Sequence, residues 1–342
     1  MGKVLVLHHS KLDISDNLLA HDSLASYTHM ANMKSELNNA DFISFVYLLK
    51  TRKCIFNNIN LAPWVYFKIP SILIRIPYCF YLCIKYDKLI VYHSEGFYYY
   101  YPIFLLFRSK IIIQVNEIYA IISQNKAKLF FEKLYIKSFS KLIVSNVFLK
   151  NNWFPNKNVL IRGGYFRKVD LDLDILNNTH SFIYVGTIDE HKYGNLSILI
   201  KLINTIPPNV KLILCLMTTD IYYDMIHKSI KNNPNISLNR DVKDSDLKFF
   251  YNKCKYGLVI QDQGKPINTT GFPSKIFSYL NHGLIPIAER LDCFQKSEVN
   301  ELFIFIQNWD WSELMLVKPS NNTFTNVSNK LVNSLIYFIN QN

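Results

Sequence analysis

The stretch of the chain best suited to chemistry is residues 256–288, where a short apolar run, a polar loop, a helix and a second apolar run follow one another. The run 256–260 predicts a buried strand, and Pro273 and Gly283 mark the start and the end of the helix. Lys275 stands in the first turn of that helix, where free backbone N–H groups and a positive side chain can both meet an anion. The pattern therefore predicts a phosphate-binding site at the carboxyl edge of a parallel sheet, the edge at which open α/β sheets bind ligands.

Reactive side chains also follow apolar runs in the first half of the chain. Glu117 comes directly after the apolar run 110–115 and Asn116, where a parallel strand would end. Such a carboxylate is our first candidate to contact a substrate hydroxyl or to remove its proton, since general-base help is commonly worth about 10²–10⁴ in rate. The alternative is a loop carboxylate that caps the next segment. His9 and Asp13 are the other catalytic candidates, and the alternative is that they are ordinary polar residues of a loop. They belong to a wider set that follows the first and third strands: His8, His9, Asp13, Asp16, His93 and Glu95.

The elements that must hold these side chains are short apolar runs separated by helical or polar stretches, which is the pattern of a parallel sheet with crossover helices. The chain is therefore predicted to be α/β throughout. Strands are predicted over residues 4–8, 42–48, 88–93, 110–115, 141–144, 159–162, 181–185, 211–217, 236–238, 256–260 and 284–288. Helices are predicted over residues 21–37, 95–107, 126–139, 194–205, 221–231, 244–254, 274–281 and 327–339.

The length of 342 residues predicts two domains, at the usual size of about 100–200 residues each. Residues 163–179 interrupt the α/β pattern with a Gly-Gly pair and alternating Asp and Leu, without a helical period. We therefore expect a first doubly wound domain over 1–164, a linker over 165–180 and a second doubly wound domain over 181–322. Residues 323–342 are expected to form a C-terminal helix that packs back on the first domain.

The charge balance favours anionic partners, because 38 Lys and Arg stand against 26 Asp and Glu, for a net charge of +12. Nucleic acid is disfavoured, since no finger, helix-turn-helix or RNA-binding signature is present. Aromatic, aliphatic and basic residues alternate over 64–108, which is typical of a surface that rests on an anionic membrane. Core helices of the first domain are the alternative interpretation.

The six cysteines form no CxxC pair and no metal-binding spacing, and the chain opens on an apolar strand where a secreted protein would carry a signal peptide. The most apolar stretch, 69–91, is interrupted by Arg75, Lys85, Asp87 and Lys88, so we expect attachment to a membrane surface and no spanning helix. The expected location is the cytoplasm, with peripheral attachment to a membrane surface.

The run Phe272-Pro-Ser-Lys-Ile-Phe-Ser-Tyr-Leu-Asn-His-Gly-Leu-Ile-Pro-Ile resembles the donor-site signature of group 1 glycosyltransferases, which are glycosyltransferase family 4 and its relatives in bacterial capsule and O-antigen clusters. Phe182-Ile-Tyr-Val-Gly-Thr resembles the opening of the family's nucleotide domain, and Lys192-Tyr-Gly-Asn-Leu resembles the turn after it. The resemblance implies the GT-B architecture: two Rossmann-like doubly wound domains facing each other across a cleft. It also implies a nucleotide-sugar donor on the C-terminal domain and an acceptor on the N-terminal one, with no cofactor and no metal ion.

Carried over residue by residue, the resemblance assigns the donor diphosphate to Ser274, Lys275 and the adjacent helix terminus, with Gly186 and Thr187 on the other side. The remaining donor-site positions are Lys192, Thr270, Phe272, Pro273 and Ser278. Several depart from the family pattern. Ser278 and Thr270 stand where the family has glutamates, Thr187 stands where it often has arginine, and Lys192 is one residue early.

The function implied by the resemblance is transfer of one sugar to a lipid-linked saccharide, on a polyprenyl diphosphate, in bacterial surface polysaccharide biosynthesis. Two alternatives remain open at this point. A sugar-nucleotide epimerase shares the fold and would release free nucleotide without an acceptor. A catalytically inactive, membrane-associated homologue would follow if the missing carboxylates are essential.

Overall fold

The computed structural model describes residues 2–8, 24–45, 60–61, 68–118, 120, 125–166, 180–191, 193–230, 233–262, 264–265, 271–316 and 324–341. The chain divides into two compact units. The first comprises Met1–Ser145, Leu149–Tyr165 and Val332–Asn342, and the second comprises Asn146–Phe148 and Phe166–Leu331. Most of the predicted linker over 165–180 lies outside the described residues.

In its described part, the first unit is built on a sheet of seven parallel strands in the order β3-β2-β1-β4-β5-β6-β7. This is the doubly wound Rossmann order, which reverses between the first and the fourth strand. The strands are β1 (Val4–His8), β2 (Asp41–Ser44), β3 (Asn60–Leu61), β4 (Lys88–Tyr92), β5 (Ile111–Val115), β6 (Lys141–Val144) and β7 (Asn158–Ile161). The helices are α1 (Leu24–Glu36), α2 (Lys68–Lys85), α3 (Tyr101–Leu106), which a 3₁₀ turn over Glu95–Tyr100 precedes, α4 (Lys126–Lys137) and α5 (Val147–Trp153).

The described part of the second unit repeats the design with six parallel strands in the order β10-β9-β8-β11-β12-β13. Its strands are β8 (Ser181–Thr187), β9 (Lys211–Met217), β10 (Ile236–Arg240), β11 (Tyr256–Val259), β12 (Ile285–Glu289) and β13 (Ile304–Ile306). Its helices are α6 (Leu196–Asn204), α7 (Asp220–Ile230), α8 (Asp244–Tyr251), α9 (Lys275–Asn281), α10 (Asp292–Gln295) and α11 (Trp311–Leu314). A final helix, α12 (Phe324–Asn340), begins in the second unit and ends in the first.

Each sheet is covered on both faces, which is why its strands read as continuous apolar runs. In the first unit, α2, α3, α4 and α5 share one core. Helix α1 and the last turns of α12 share the core on the opposite face. In the second unit, α6, α7 and α11 pack on one face of the sheet, while α8, α9, α10 and the start of α12 pack on the other.

The predicted α/β class with two doubly wound domains is confirmed, and six described elements were not among the predicted strands and helices: β3, α2, α5, α10, α11 and β13. Helices α10 and α11 have only four residues each. Strands β3 and β13 have two and three residues, too few for an apolar run to stand out. Helix α2 contains Pro77, a residue that ordinarily ends a helix because it lacks an N–H donor. In the described part of the chain, no helix combines the length and the apolar character needed to cross a bilayer.

Candidate functional site

The predicted helix over 274–281 is present as α9, one residue shorter at its start. Gly283 ends it with a positive φ of 76°, and two hydrogen bonds close the end: Gly283 N–H donates to Leu280 O (3.1 Å) and Leu284 N–H to Tyr279 O (3.0 Å). This is the Schellman arrangement, which needs a left-handed residue such as glycine. The helix is therefore fixed at its far end, and Lys275 is its first residue.

The start of α9 differs from the prediction of several free N–H groups facing an anion. Ile276 N–H donates to Pro273 O (3.2 Å) and Phe277 N–H donates to Ser274 O (3.1 Å), so the first turn is tightened and two donors are used within the chain. The side chain of Ser274 makes no capping hydrogen bond. The main positive group at this point is therefore the ammonium of Lys275.

Lys275 extends from α9 to the end of β8. Its Nζ lies 4.0 Å from the centroid of the Tyr184 ring, a distance at which a cation is attracted by the face of an aromatic ring. Burial lowers the pKa of Lys275 to about 7, and among the described residues no carboxylate pairs with it. The Lys275 amine therefore loses its proton readily in the protein without ligand. An anion bound beside it would raise its pKa again and favour the charged ammonium form.

Gly186 makes room for this amine. Its φ is +141°, and a Cβ built there would lie 3.0 Å from Lys275 Nζ. Two of the predicted donor-site residues, about 90 positions apart in the sequence, thus lie next to each other in the second unit. Glycine meets both requirements because it has no side chain and no penalty at this φ.

The backbone after Gly186 is held by Asn195, which sequence reasoning did not select. Asn195 Nδ2 donates to Thr187 O (2.9 Å) and to Tyr184 Oη (2.8 Å). Its Oδ1 accepts from Asp189 N–H (3.2 Å). One buried amide therefore fixes both the turn after β8 and the tyrosine ring under Lys275.

Strands β8 and β11 flank the point where the strand order reverses, and they separate there. They pair only at Phe182 with Tyr256 and at Ile183 with Gly257. Beyond these positions the hydroxyl of Tyr279 bridges them, accepting from Val185 N–H (3.0 Å) and donating to Leu258 O (3.2 Å). A Cβ on Gly257 would come within 2.3 Å of the Tyr279 ring, so this glycine admits the bridging side chain. Ligands of open α/β sheets bind at such a reversal.

The other described positions of the motif have packing roles. The Phe272 ring packs against Phe277 (6.0 Å between centroids) and Phe294 (5.6 Å), which anchors the segment before Pro273. Ser278 O accepts from His282 Nδ1 (2.8 Å), so His282 caps the end of α9 as an ordinary structural side chain would. Five candidate site residues lie outside the described part of the chain: His9, Asp13, Asp16, Lys192 and Thr270.

In the first unit, Asn116 and Glu117 follow β5 as predicted, beside a buried polar network that the sequence did not indicate. Gln114 Oε1 accepts from Tyr165 Oη (2.8 Å), and Gln114 Nε2 donates to His29 Nε2 (2.7 Å) and to Asn116 Oδ1 (3.2 Å). Asn116 Nδ2 then donates to Tyr92 Oη (2.8 Å). The network fixes the amide next to Glu117.

His29 in this network is neutral. Burial, assisted by the positive charge of Arg162, lowers its pKa to about 3. Because Gln114 Nε2 can only donate, Nε2 of His29 accepts. Arg162 is in turn held by an ion pair with the carboxylate of Glu36. The positive charge of Arg162 near the network is therefore balanced by a negative one.

Two histidines considered from the sequence are buried. His8 is fully buried at the end of β1. His93 lies 2.6 Å from Glu132 through its Nε2, and the other oxygen of Glu132 accepts from Ala120 N–H (2.8 Å). A structural role accounts for the position of His93. Within the described ranges, no three His, Cys, Asp or Glu side chains come together in a way that could hold a metal ion.

No protein-family model matches the chain, and no curated protein matches its sequence. Solved structures do match. Anabaena HepE in complex with UDP and glucose is 12% identical with a TM-score of 0.60, over 99% of this chain and 92% of HepE. The complex of HepE with UDP-glucose is 14% identical with a TM-score of 0.59, over 98% and 90%. The UDP-forming α,α-trehalose-phosphate synthase of Burkholderia xenovorans, with glucose-6-phosphate, is 9% identical with a TM-score of 0.52, over 99% and 96%. These similarities, together with the two Rossmann-like sheets, show that the chain has the GT-B fold.

Proposed function

We propose that this chain is a glycosyltransferase that moves a sugar from a nucleoside-diphosphate sugar to a saccharide carried on a polyprenyl diphosphate, in the biosynthesis of a bacterial capsule or O-antigen. The observation that carries the proposal is the contact of Lys275 with Tyr184 and Gly186 at the reversal point of the second sheet. The solved structures that share the fold support it, since they include complexes with UDP and with UDP-glucose and a UDP-forming synthase.

In the proposed reaction, the bond between the anomeric carbon and the diphosphate oxygen breaks while an acceptor hydroxyl oxygen bonds to that carbon. The diphosphate leaves with the electron pair, and charged Lys275 stabilises the negative charge that develops on it. Gly186 lies beside the same amine, so its backbone and that of Thr187 would meet the diphosphate from the same side as Lys275. The proposal involves no metal ion and no cofactor, because the family that the donor motif resembles transfers sugar without either.

The acceptor proton is assigned to Glu117. It follows β5 at the carboxyl edge of the first sheet and is half-buried, which allows contact with both solvent and a substrate. The hydrogen-bonded amide of Asn116 precedes it and restricts the loop. A positioned carboxylate that takes the proton as the new bond forms acts as a general base. His9 and Asp13 remain proposals for the same step.

Association with the cytoplasmic face of the inner membrane is part of the proposal, and it is supported by the outer side of α2. Five large apolar side chains are exposed there at helical spacing: Leu73, Ile76, Phe80, Tyr81 and Ile84. Lys85 is exposed beside them. Arg75, which the sequence placed with the basic residues of this surface, is instead buried in the core, with its guanidinium over the Phe45 ring at 5.6 Å. An amphipathic helix of this composition favours an anionic lipid interface.

The transferase activity is tested with a panel of nucleotide sugars, scored for thermal stabilisation of the protein and for release of nucleoside diphosphate. Release that requires an added lipid-linked saccharide supports transfer. Release without any acceptor would indicate an epimerase of the same fold, and no nucleotide binding at all would indicate an inactive homologue. Lys275→Met is the control that should reduce stabilisation by every active nucleotide sugar.

Membrane association is tested by co-sedimentation with vesicles that contain anionic lipid. Phe80→Ser combined with Ile84→Ser should reduce sedimentation at least about tenfold, since each side chain removes apolar area from the interface. The matched control is Phe249→Ser, another exposed phenylalanine, on α8 of the second unit. Equal sedimentation of the wild type and the α2 variant would remove the membrane from the proposal and leave the transferase standing.

A further inference from the structure

A groove on the first unit lies between two walls. One wall is the 3₁₀ turn over Glu95–Tyr100 with the start of α3, and the other is α4. The groove encloses about 390 Å³ and is lined by Tyr98, Tyr101, Lys128, Phe131, Leu134 and Tyr135. This volume falls within the range of about 300–1,000 Å³ that small-molecule sites occupy. The proposed transfer reaction, as argued from Lys275 and Glu117, does not use this groove.

The walls of the groove are aromatic and aliphatic. Tyr135 is buried and touches two tyrosines that share the groove, Tyr98 at 5.0 Å and Tyr101 at 5.4 Å between ring centroids. Phe131 and Leu134 form the outer wall and are 63% and 48% exposed. Together with the tyrosine rings, these side chains offer apolar surface that a hydrocarbon chain could cover.

The groove also contains a cationic group, which points to a ligand with an anionic end. Lys128 is half-buried and is the one charged residue among those that line the groove. An ammonium group at one end of an otherwise apolar groove suits an amphiphile with a negative head and an apolar tail. Tyr135 contributes its ring to the apolar wall, since its hydroxyl is shielded from solvent.

The position of the groove indicates which end of a bound hydrocarbon chain would lie near the proposed acceptor site. The segment with Tyr98 follows the carboxyl end of β4, and Lys128 is in the first turn of α4, which follows β5. Both therefore lie toward the sheet edge where Glu117 is placed, while Leu134 is farther along α4. The groove also lies on the face of the sheet that carries α2, because α2, α3 and α4 share one core.

We propose that this groove binds the hydrocarbon chain of a single anionic lipid, with the phosphate end near Lys128 and the tail along Phe131 and Leu134. The proposal rests on the proposed function, in which the acceptor is carried on a lipid diphosphate, and it adds a place for the lipid part of that acceptor. It differs from adsorption to a membrane surface, since it requires one chain per protein and a defined set of contacts.

The test uses dodecyl phosphate as the probe, below its micelle concentration, with calorimetry on the full chain. Wild-type protein should bind it saturably, with one probe per chain, and should bind inorganic phosphate at the same concentration far more weakly. Phe131→Ser should weaken binding about tenfold, as expected for the loss of one aromatic contact. Lys128→Gln should also weaken binding.

The matched control is Phe130→Ser. Phe130 is the neighbouring residue on α4 and is 65% exposed, almost as much as Phe131, but it does not line the groove. Its substitution should change affinity by less than about twofold, because it removes no groove contact. Equal losses in the two variants, several probes per chain, or no saturable binding would overturn the proposal.

Nucleotide-sugar binding is measured on the same proteins to separate the two proposals. Unchanged nucleotide binding in Phe131→Ser together with weaker dodecyl phosphate binding is the expected result. Failure of the wild type to bind any nucleotide sugar would refute the transferase. The dodecyl phosphate measurement would still show whether the groove binds a lipid. Both phenylalanines are exposed, so the variants should fold, and thermal unfolding checks this directly.

Discussion

Binding of a nucleotide sugar should be coupled to proton uptake at Lys275. The amine lies 4.0 Å from the centroid of the Tyr184 ring, and burial lowers its pKa to about 7. A bound diphosphate would favour the ammonium form, because an opposite charge within about 4–6 Å stabilises it. The affinity for the nucleotide sugar should therefore fall as pH rises through the pKa that Lys275 has before the ligand binds.

The size of the effect follows from the fraction of Lys275 that is charged. If binding requires the ammonium form, the apparent dissociation constant scales with 1 + 10^(pH − pKa). With a pKa of about 7, the lysine is about nine tenths charged at pH 6 and about one tenth charged at pH 8. Affinity should then fall about tenfold between these values, which corresponds to about 1.4 kcal/mol. A lysine with the ordinary pKa of about 10.4 would give no change.

The assay is calorimetric titration with UDP-glucose at pH 6, 7 and 8, in buffers of different ionisation enthalpy that report the proton taken up. UDP-glucose is preferable to UDP because its diphosphate is a diester, whereas a terminal phosphate loses a proton near pH 6. Lys275→Met should bind weakly, with a flat pH profile. A flat wild-type profile would refute the low pKa, and wild-type affinity in the variant would remove Lys275 from the donor site.

Three further substitutions test the surroundings of the two sites. Gly186→Ala should lower nucleotide affinity, because its φ of +141° strains a residue with a side chain and its Cβ, 3.0 Å from Nζ, would displace the Lys275 amine; Gly264→Ala, whose Cβ would meet nothing closer than 3.4 Å, should not. Tyr279→Phe should lower the free energy of unfolding in urea by about 1–3 kcal/mol, since two backbone groups lose their bridge; an unchanged midpoint would show that the strands close without it. Glu117→Gln should reduce transfer at least about 10²-fold while nucleotide affinity persists, and near wild-type transfer would return Glu117 to a structural role.

Much of the second unit could be predicted from local sequence because its strands are buried on both faces and carry uninterrupted apolar runs. Parallel strands end at a common edge, so the motif around Lys275 could be placed at the same edge as Gly186. Their close approach, with Lys275 Nζ only 3.0 Å from the position that a Cβ on Gly186 would occupy, agrees with that reasoning. The end of the helix at Gly283 could also be predicted, because glycine readily adopts the left-handed conformation that commonly ends a helix.

The rest of the site depends on contacts between residues far apart in the sequence. Asn195 reads as an ordinary loop residue, and only the fold brings its amide to Thr187 and Tyr184. Tyr279 reads as a core residue of α9, and its bridging role exists only because β8 and β11 separate. The partial burial of Lys275 and its low pKa were equally hidden, since a lysine in the first turn of a helix is ordinarily exposed.

The low pKa of Lys275 shows how the fold prepares this site. A lysine whose pKa falls from about 10.4 in the unfolded chain to about 7 in the folded protein binds fewer protons when folded between these values. Stability therefore rises with pH through that interval, the reverse of a lysine that gains a carboxylate partner. Tyr184 attracts the ammonium through its ring face but does not neutralise it, so the fold holds this charge at a cost to its own stability. Binding of a diphosphate would relieve that cost, and the charge is already in position when the leaving group becomes negative.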